Sequence, residues 1–134
     1  MRETLQGDYC LDPTCYGQPM AKTTIGVILS GAGYLDGAEI QESVLILLSL
    51  AHHGSTAKIF APDISLKEHD HKSKAATGAE RSVLKEAARI ARSDIHDLAS
   101  ANGTDVEGWI LPGGFGAAKN LSDFATKGAS ATVN

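Results

Sequence analysis

The chain has 134 residues, 43% of them hydrophobic and 21% charged, which is the balance of a globular domain and excludes a disordered segment. Its 12 basic and 16 acidic residues give a formal net charge of −4 without a basic stripe, so the composition argues against a nucleic-acid-binding protein. The longest apolar run, residues 43–51, is too short to span a bilayer and predicts a core helix.

Residues 1–22 are predicted to be an N-terminal extension or arm, and residues 23–134 an α/β domain. The first segment has neither a cationic start with an apolar block nor an Arg-rich composition, so no targeting signal is visible. Both cysteines, Cys10 and Cys15, lie in it, and they could form a bridge, two metal ligands or two free thiols. Free thiols in a reducing compartment are the default expectation. The segment suits either a loose tail or an extended arm on another subunit.

The first elements of the domain follow a strand–helix–strand order. Residues 23–30 are β-branched and apolar on both faces, which predicts a buried parallel strand. A glycine-rich loop follows, and a helix begins at Glu39 and ends at Gly54. Residues 56–62 predict the second strand. The apolar residues expected on the buried face of the helix are Ile40, Val44, Leu47, Leu48 and Ala51.

The second half of the domain repeats the alternation after a polar interruption. Residues 63–80 lack periodicity and predict a long loop, and an amphipathic helix begins at Glu80 and can continue through Ile95 and Leu98. Residues 106–114 supply a third strand. A short helix follows, with Asn120 as its cap and Asp123 in its first turn.

This β-α-β-α-β-α order predicts a parallel sheet with right-handed crossovers and helices on both faces. Three strands are about half of a usual doubly wound domain. We therefore expect an incomplete three-layer sandwich whose open sheet edge recruits a protein partner, either a second copy or a larger complex.

Sites in such folds form beyond the carboxyl ends of the strands, here the loops 31–39, 61–80 and 112–120. In the third loop, Gly113 and Gly114 lack Cβ atoms, so their amides can face an anion or a developing oxyanion. The alternative interpretation is a tight strand-to-helix turn that needs positive φ. Nucleotide or small-anion binding at the glycine loops is a further, weaker hypothesis.

The loop 31–39 has a dinucleotide-like glycine pattern that its acids contradict. Asp36 stands where the fingerprint requires its third glycine, and Asp36 and Glu39 would repel a pyrophosphate at the helix N-terminus. Glu39 is better explained as a helix-stabilising carboxylate that could also orient, or exchange a proton with, a nucleophile.

The five histidines give only weak signals. His69 and His71 form an H-x-H pair in the predicted polar loop, which is a weak metal signal, and we predict neither a metal nor a cofactor. His52 and His53 end a helix, where a cation suits the dipole. His96 is expected on a helix surface.

Four stretches, "VILSGAGYLDGAEIQESVLILL", "IFAPD", "EAARIARSDIHDLA" and "ILPGGFGAAKNLSDFA", resemble the ElbB (enhancing lycopene biosynthesis, sigma cross-reacting) family of the ThiJ/PfpI, class I glutamine amidotransferase-like superfamily. The resemblance covers about residue 24 to the last residue. It implies a flavodoxin-like sandwich, which agrees with the alternation of strands and helices.

The resemblance also implies site roles. In the superfamily a cysteine on a strand-to-helix elbow is the nucleophile, a first-loop glutamate pairs with it, and amides of the PGG turn help to form an oxyanion hole. This implies that Glu39 is the paired acid and that Gly113 and Gly114 are the turn. Ala32 departs from the cysteine that relatives often have in this loop, and the elbow cysteine would lie beyond the given sequence.

Two functions follow as expectations. The first is a non-catalytic half-domain that serves as an accessory or scaffolding subunit of a larger assembly. The second is a glyoxalase-like or amidotransferase-like cysteine enzyme whose nucleophile is supplied by another chain or by a missing segment. The resemblance implies a mitochondrial protein if the source is eukaryotic and a cytoplasmic one if it is bacterial.

Overall fold

The computed structural model describes residues 23–92 and 94–133, so the predicted N-terminal arm and the state of Cys10 and Cys15 lie outside the described residues. The described chain contains six strands, four α-helices and two short 3-10 turns at 98–100 and 128–130. The strands are β1 Thr24–Ile28, β2 Thr56–Ala61, β3 Ser65–His69, β4 Ala76–Ser82, β5 His96–Asp97 and β6 Gly108–Ile110. The helices are α1 Ile40–His52, α2 Val83–Ala91, α3 Gly116–Lys119 and α4 Phe124–Lys127.

Four strands form a parallel sheet in the order β5-β2-β1-β6. The predicted α/β, flavodoxin-like class with a parallel sheet is thereby confirmed, with one more strand than the three expected. β1 is central because its run is apolar on both faces. β6 is an edge, and within the described parts of the chain its outer side pairs with no strand.

One face of the sheet carries the core. Side chains alternate along a strand, so Val27 of β1 and Leu29 just after it share a face with Ile59 and Ala61 of β2. α1 and α2 cover this face and exclude water from it. The helix residues that pack there are Ile46, Leu47, Leu50, Val83, Ala87 and Ala91.

The opposite face carries an aromatic row. The Trp109 indole packs against Gly26, where an added Cβ would come within 2.4 Å of the ring. Phe60 has its ring centroid 5.4 Å from Trp109 and 5.6 Å from His96. Gly26 is therefore required for the indole to reach across the central strand.

The predicted buried face of α1 is wrong in most of its members. Ile40, Val44 and Leu48 are 47%, 49% and 63% exposed, and Ala51 is exposed, while only Leu47 packs on the core. The helix is apolar on nearly all sides, and the side that packs on the sheet carries Ile46, Leu47 and Leu50. Periodicity alone could not choose between two apolar sides.

The predicted loop 63–80 is also wrong, because β3 and β4 form an antiparallel hairpin there. Only Leu66 of these strands is buried, so the sequence lacks the alternation that would have shown the pairing. α2 accordingly begins at Val83 rather than Glu80, and the Ser82 hydroxyl caps it by accepting the Lys85 N–H.

The later helix predictions need two corrections. α2 ends at Ala91 because Arg92 adopts a left-handed conformation, so His96 lies in β5 and not on a helix surface. The short helix predicted after Asn120 is α4, which begins at Phe124, so Asp123 precedes this helix rather than lying in its first turn. Asn120 directly follows a separate short helix, α3, and its buried amide donates to the backbone oxygens of Ser30 and Asp36.

None of the described helices is long and apolar enough to cross a membrane.

Candidate functional site

The loop after β1 and the turn after β6 meet beyond the carboxyl ends of these neighbouring strands. Three backbone hydrogen bonds join them: Glu39 N–H to the Gly113 carbonyl at 2.7 Å, Phe115 N–H to Tyr34 at 2.8 Å and Gly116 N–H to Gly37 at 2.9 Å. The three predicted site residues, Glu39, Gly113 and Gly114, are thereby adjacent.

Glu39 is the N-cap residue of α1. Its backbone is extended, and its Oε2 accepts the Glu42 N–H at 2.7 Å. This bond satisfies one of the unpaired amides at the helix start. Oε1 accepts no hydrogen bond from the described residues, so one carboxylate oxygen remains available as an acceptor.

The Gly113 amide faces a carboxylate of the chain itself. Its N–H donates to Glu42 Oε2 at 2.6 Å, and a Cβ at this position would come within 2.5 Å of the same oxygen. Of the two predicted oxyanion donors, Gly113 is therefore engaged by Glu42.

Gly114 has both a steric and a conformational requirement for glycine. Its φ is +105°, and an added Cβ would lie 2.4 Å from the Gly37 carbonyl oxygen. Its N–H has no acceptor among residues 23–92 and 94–133. The turn thus presents one unengaged amide beside the Glu39 carboxylate.

A shallow pocket of about 380 Å³ lies over these groups, lined by Tyr34, Glu39, Gly114 and Phe115. It offers an acceptor from Glu39 and a donor from Gly114 between two aromatic side chains. This arrangement can hold a group that both donates and accepts hydrogen bonds, or can stabilise a negative oxygen while a carboxylate takes a proton.

A nucleophile is missing from this pocket in the described part of the chain. No cysteine occurs between residues 23 and 134. Ser30 is 1% exposed, and its Oγ lies against the backbone of Gly116 rather than in the pocket.

The loop that carries Glu39 is held from behind by Asp36. This side chain is 1% exposed, and its Oδ2 accepts the His69 N–H at 2.7 Å and the Arg81 guanidinium at 3.0 Å. Arg81 also bonds Glu86 of α2 at 2.9 Å and lies 3.3 Å from Glu68 without hydrogen-bond geometry. The hairpin and α2 are thus tied to the site loop through one buried carboxylate.

The two histidines of the hairpin support the same loop. His71 Nε2 accepts the Leu35 N–H at 3.3 Å, its Nδ1 lies 3.1 Å from the His69 carbonyl, and its ring meets Tyr34 edge-on. Within the described residues no group of three metal-ligating side chains occurs. His69 and His71 have a local structural explanation.

Sequence reasoning missed Glu42, Arg81 and Asn120. Glu42 follows Glu39 by three residues, a spacing at which two side chains share a helix face, and this signal could have found it. Asn120 binds the carbonyls of Ser30 and Asp36, each at 2.8 Å. Arg81 is 45 positions from Asp36, and no local pattern joins them.

Comparison with known proteins yields no matching family model. The chain is 45% identical over 118 residues to human glutamine amidotransferase-like class 1 domain-containing protein 3, mitochondrial, and 43% identical over 118 residues to the rat ES1 protein homolog, mitochondrial. Each alignment covers 87% of this chain and 44% of the relative, so the chain spans less than half the length of these relatives.

One solved structure is similar to this chain in both sequence and fold. The isoprenoid biosynthesis protein with amidotransferase-like domain from Ehrlichia chaffeensis superimposes with a TM-score of 0.72 at 40% identity, over 74% of this chain and 47% of that one. The homologues of this chain are therefore glutamine amidotransferase-like class 1 domain proteins, and the solved one has the flavodoxin-like fold observed here.

Proposed function

We propose that this chain is an ElbB-like half-domain that acts as a non-catalytic accessory or scaffolding subunit of a larger assembly. The observation that carries the proposal is a pocket with an acid, Glu39, and a turn amide, Gly114, but without a cysteine in the described residues, beside an unpaired sheet edge. An acid and an oxyanion turn have no covalent step to assist without a nucleophile.

The β6 edge supports a protein partner. Its unpaired N–H and C=O groups can pair with another strand, and an exposed edge of this kind is a ready template for such pairing. Exposed apolar side chains surround it: Trp109 is 37% exposed, Leu111 52% and Phe115 57%. A partner that adds a strand beside β6 would bury these side chains together with the edge.

The matched relatives are more than twice as long as the part that aligns with this chain. This supports a partner that corresponds to their remaining part and is similar in size to this chain. The names of the human and rat relatives place those proteins in mitochondria. We propose the same compartment for this chain if its source is eukaryotic, and the cytoplasm if it is bacterial.

A cysteine enzyme assembled from two segments is the second candidate. It is favoured by one observation: Glu39 Oε1 and the Gly114 N–H are both unengaged and line one pocket. A cysteine delivered from the β6 side would complete a glyoxalase-like or amidotransferase-like site.

The test is native mass spectrometry of the protein from its own source, followed by reconstitution. This chain is mixed with the part of the human relative that lies beyond its match to this chain, and methylglyoxal consumption and glutamine hydrolysis are measured. The accessory proposal expects a stable complex without activity. Activity that Glu39→Gln abolishes would establish the two-segment enzyme instead, and a monomer of 14.0 kDa that binds no partner would contradict both.

A further inference from the structure

A second pocket, of about 520 Å³, lies between the hairpin and the segment that carries α3 and α4. It is called here the hairpin pocket. β3 supplies one wall, and residues between 118 and 126 supply the other. The volume falls within the range of small-molecule sites, about 300–1,000 Å³. The hairpin pocket is separate from the candidate site, because none of Tyr34, Glu39, Gly114 and Phe115 lines it.

Both walls of the hairpin pocket are held by hydrogen bonds of the chain itself. On the β3 wall, the His69 N–H donates to the buried Asp36 carboxylate at 2.7 Å. On the other wall, the Asn120 amide, 6% exposed, donates to two backbone carbonyls at 2.8 Å each. Asp123 accepts the Thr132 N–H at 2.7 Å. Because the walls are already ordered, a ligand that enters this pocket loses little affinity to the ordering of the protein.

The two acids that line the hairpin pocket are compensated by cations. Asp36 is 1% exposed, and the Arg81 guanidinium lies 3.0 Å from its Oδ2. The Oδ2 of Asp123 lies 2.5 Å from the Lys127 ammonium. Neither acid therefore presents an uncompensated negative charge to a ligand.

The two lysines that line the hairpin pocket are not compensated. Lys67 of β3 and Lys119 of α3 form no ion pair with residues 23–92 and 94–133. The Lys119 ammonium donates to the Leu35 carbonyl at 2.7 Å, which positions the ammonium without neutralising it. His69 adds no negative charge to the lining in either protonation state. The hairpin pocket thus offers positive charge to a ligand and favours an anion.

Apolar side chains form another part of the lining. Leu66, which is 2% exposed, lies on the β3 wall, and Ala118 and Ala125 lie on the opposite wall. An inorganic anion would leave these side chains in contact with water, whereas a hydrocarbon group would cover them. A ligand with one anionic end and a hydrocarbon body therefore matches both the charge and the apolar lining.

We propose that the hairpin pocket binds a small organic monocarboxylate. The Lys67 and Lys119 ammonium groups hold the carboxylate, and Leu66, Ala118 and Ala125 contact the hydrocarbon body. The proposal does not rest on the accessory role, because neither β6 nor Glu39 contributes to this pocket.

Titration of 3-phenylpropionate into the full, isotope-labelled chain, followed through the amide resonances, tests the proposal. With about 11 non-hydrogen atoms, this probe should bind with a dissociation constant of about 1–5 mM. Saturable shifts are expected at Leu66, Ala118 and Ala125. The absence of saturable shifts up to about 20 mM, or shifts centred on Gly114 in the candidate site, would overturn the proposal.

Two further probes test the chemical class of the ligand. 3-Phenylpropanamide keeps the shape of the first probe without its charge, and inorganic phosphate keeps a negative charge without the hydrocarbon body. Each should bind at least about fivefold more weakly than 3-phenylpropionate. Equal binding of the amide would refute the role of the lysines, and equal binding of phosphate would refute the role of the apolar lining.

Variants of the hairpin test the role of Lys67, whose ammonium forms no hydrogen bond within the described residues. Lys67→Met should weaken binding of 3-phenylpropionate by about fivefold, and Lys67→Arg should retain it. Lys72→Met is the matched control, because it removes the same charge from the turn between β3 and β4 without changing the pocket lining. This control should bind like wild type. Equal weakening in Lys67→Met and Lys72→Met would reduce the effect to net charge and overturn the proposal.

Discussion

The two loops that build the candidate site are supported in opposite ways. The loop after β1 is held through its buried Asp36, which accepts hydrogen bonds from the His69 N–H and the Arg81 guanidinium, and Glu86 of α2 in turn binds Arg81. The turn after β6 is held by close backbone contacts of glycines and one carboxylate, Glu42, and it follows a strand whose outer edge pairs with no other strand in the described residues. The first support lies entirely among the described residues, whereas the second borders the surface where a partner is expected.

The largest effect is expected from removing the charged support of the first loop. Arg81→Met leaves Asp36 buried without a cation and breaks the bond to Glu86, so the free energy of unfolding should fall by about 3 kcal/mol. Urea unfolding followed by circular dichroism measures it. Arg89→Met, at a side chain 73% exposed, is the control and should cost less than about 0.5 kcal/mol. Equal losses in the two variants would refute the role of Asp36.

A smaller loss of stability is expected when a side chain is added at the close backbone contact in the turn after β6. Gly114→Ala adds a Cβ that would lie 2.4 Å from the Gly37 carbonyl oxygen, at a φ of +105°, and should destabilise the fold by about 2 kcal/mol. Gly54→Ala provides the comparison, since Gly54 has a φ of +72° and open space around it. The free energy of unfolding of that variant should fall by only about 1 kcal/mol, the cost of placing a Cβ in the left-handed backbone conformation. A larger loss at Gly54 would show that contact at the turn is unimportant.

The charge of the Glu42 carboxylate is expected to add about 1 kcal/mol to the free energy of unfolding. Charge-assisted hydrogen bonds stabilise a fold more than neutral ones by roughly that amount. Glu42→Gln keeps the shape but removes the charge at the Gly113 N–H. Urea unfolding of wild type and Glu42→Gln at the same pH measures the difference in the free energy of unfolding. An unchanged free energy of unfolding would show that the charge on Glu42 does not strengthen its bond to the Gly113 N–H.

The smallest effect concerns a region outside the site. Hydrogen bonds from Lys127 and from the Thr132 backbone hold the pKa of Asp123 below its ordinary value of 3.8. A carboxyl whose pKa is lowered by folding stabilises the fold above the unfolded pKa, and this contribution disappears as pH falls through the folded pKa. The Thr132 amide resonance should therefore titrate with a midpoint below 3.8, and Asp123→Asn should abolish that titration. A midpoint above 3.8 would show that the bond to Thr132 is absent in solution.

The parts of the fold that the sequence predicted have strong local signals. β1 is a β-branched apolar run, α1 starts at an N-cap acid, and the Pro–Gly–Gly turn ends β6. Because parallel strands place their following loops together, these signals also brought Glu39 to Gly113 and Gly114. The shared carboxyl edge and the family resemblance thus predicted that the three site residues lie close together, although the sequence predicted no strand order.

The parts that the sequence did not predict depend on contacts between distant residues. The hairpin has a single buried side chain, Leu66, so its strands show no alternation. The buried Asp36 carboxyl has a partner because Arg81 reaches it from another element. The buried side of α1 is chosen by the shape of the sheet, since the helix is apolar on both sides.

The position of Trp109 makes the intrinsic fluorescence of the protein sensitive to a partner at the β6 edge. It is the single tryptophan of the sequence, it lies in the edge strand, and it is 37% exposed. Indole emission shifts to shorter wavelength when water is removed from the ring, so a partner strand beside β6 changes the intrinsic fluorescence. One fluorescence measurement therefore tells whether the β6 edge is covered, without any label.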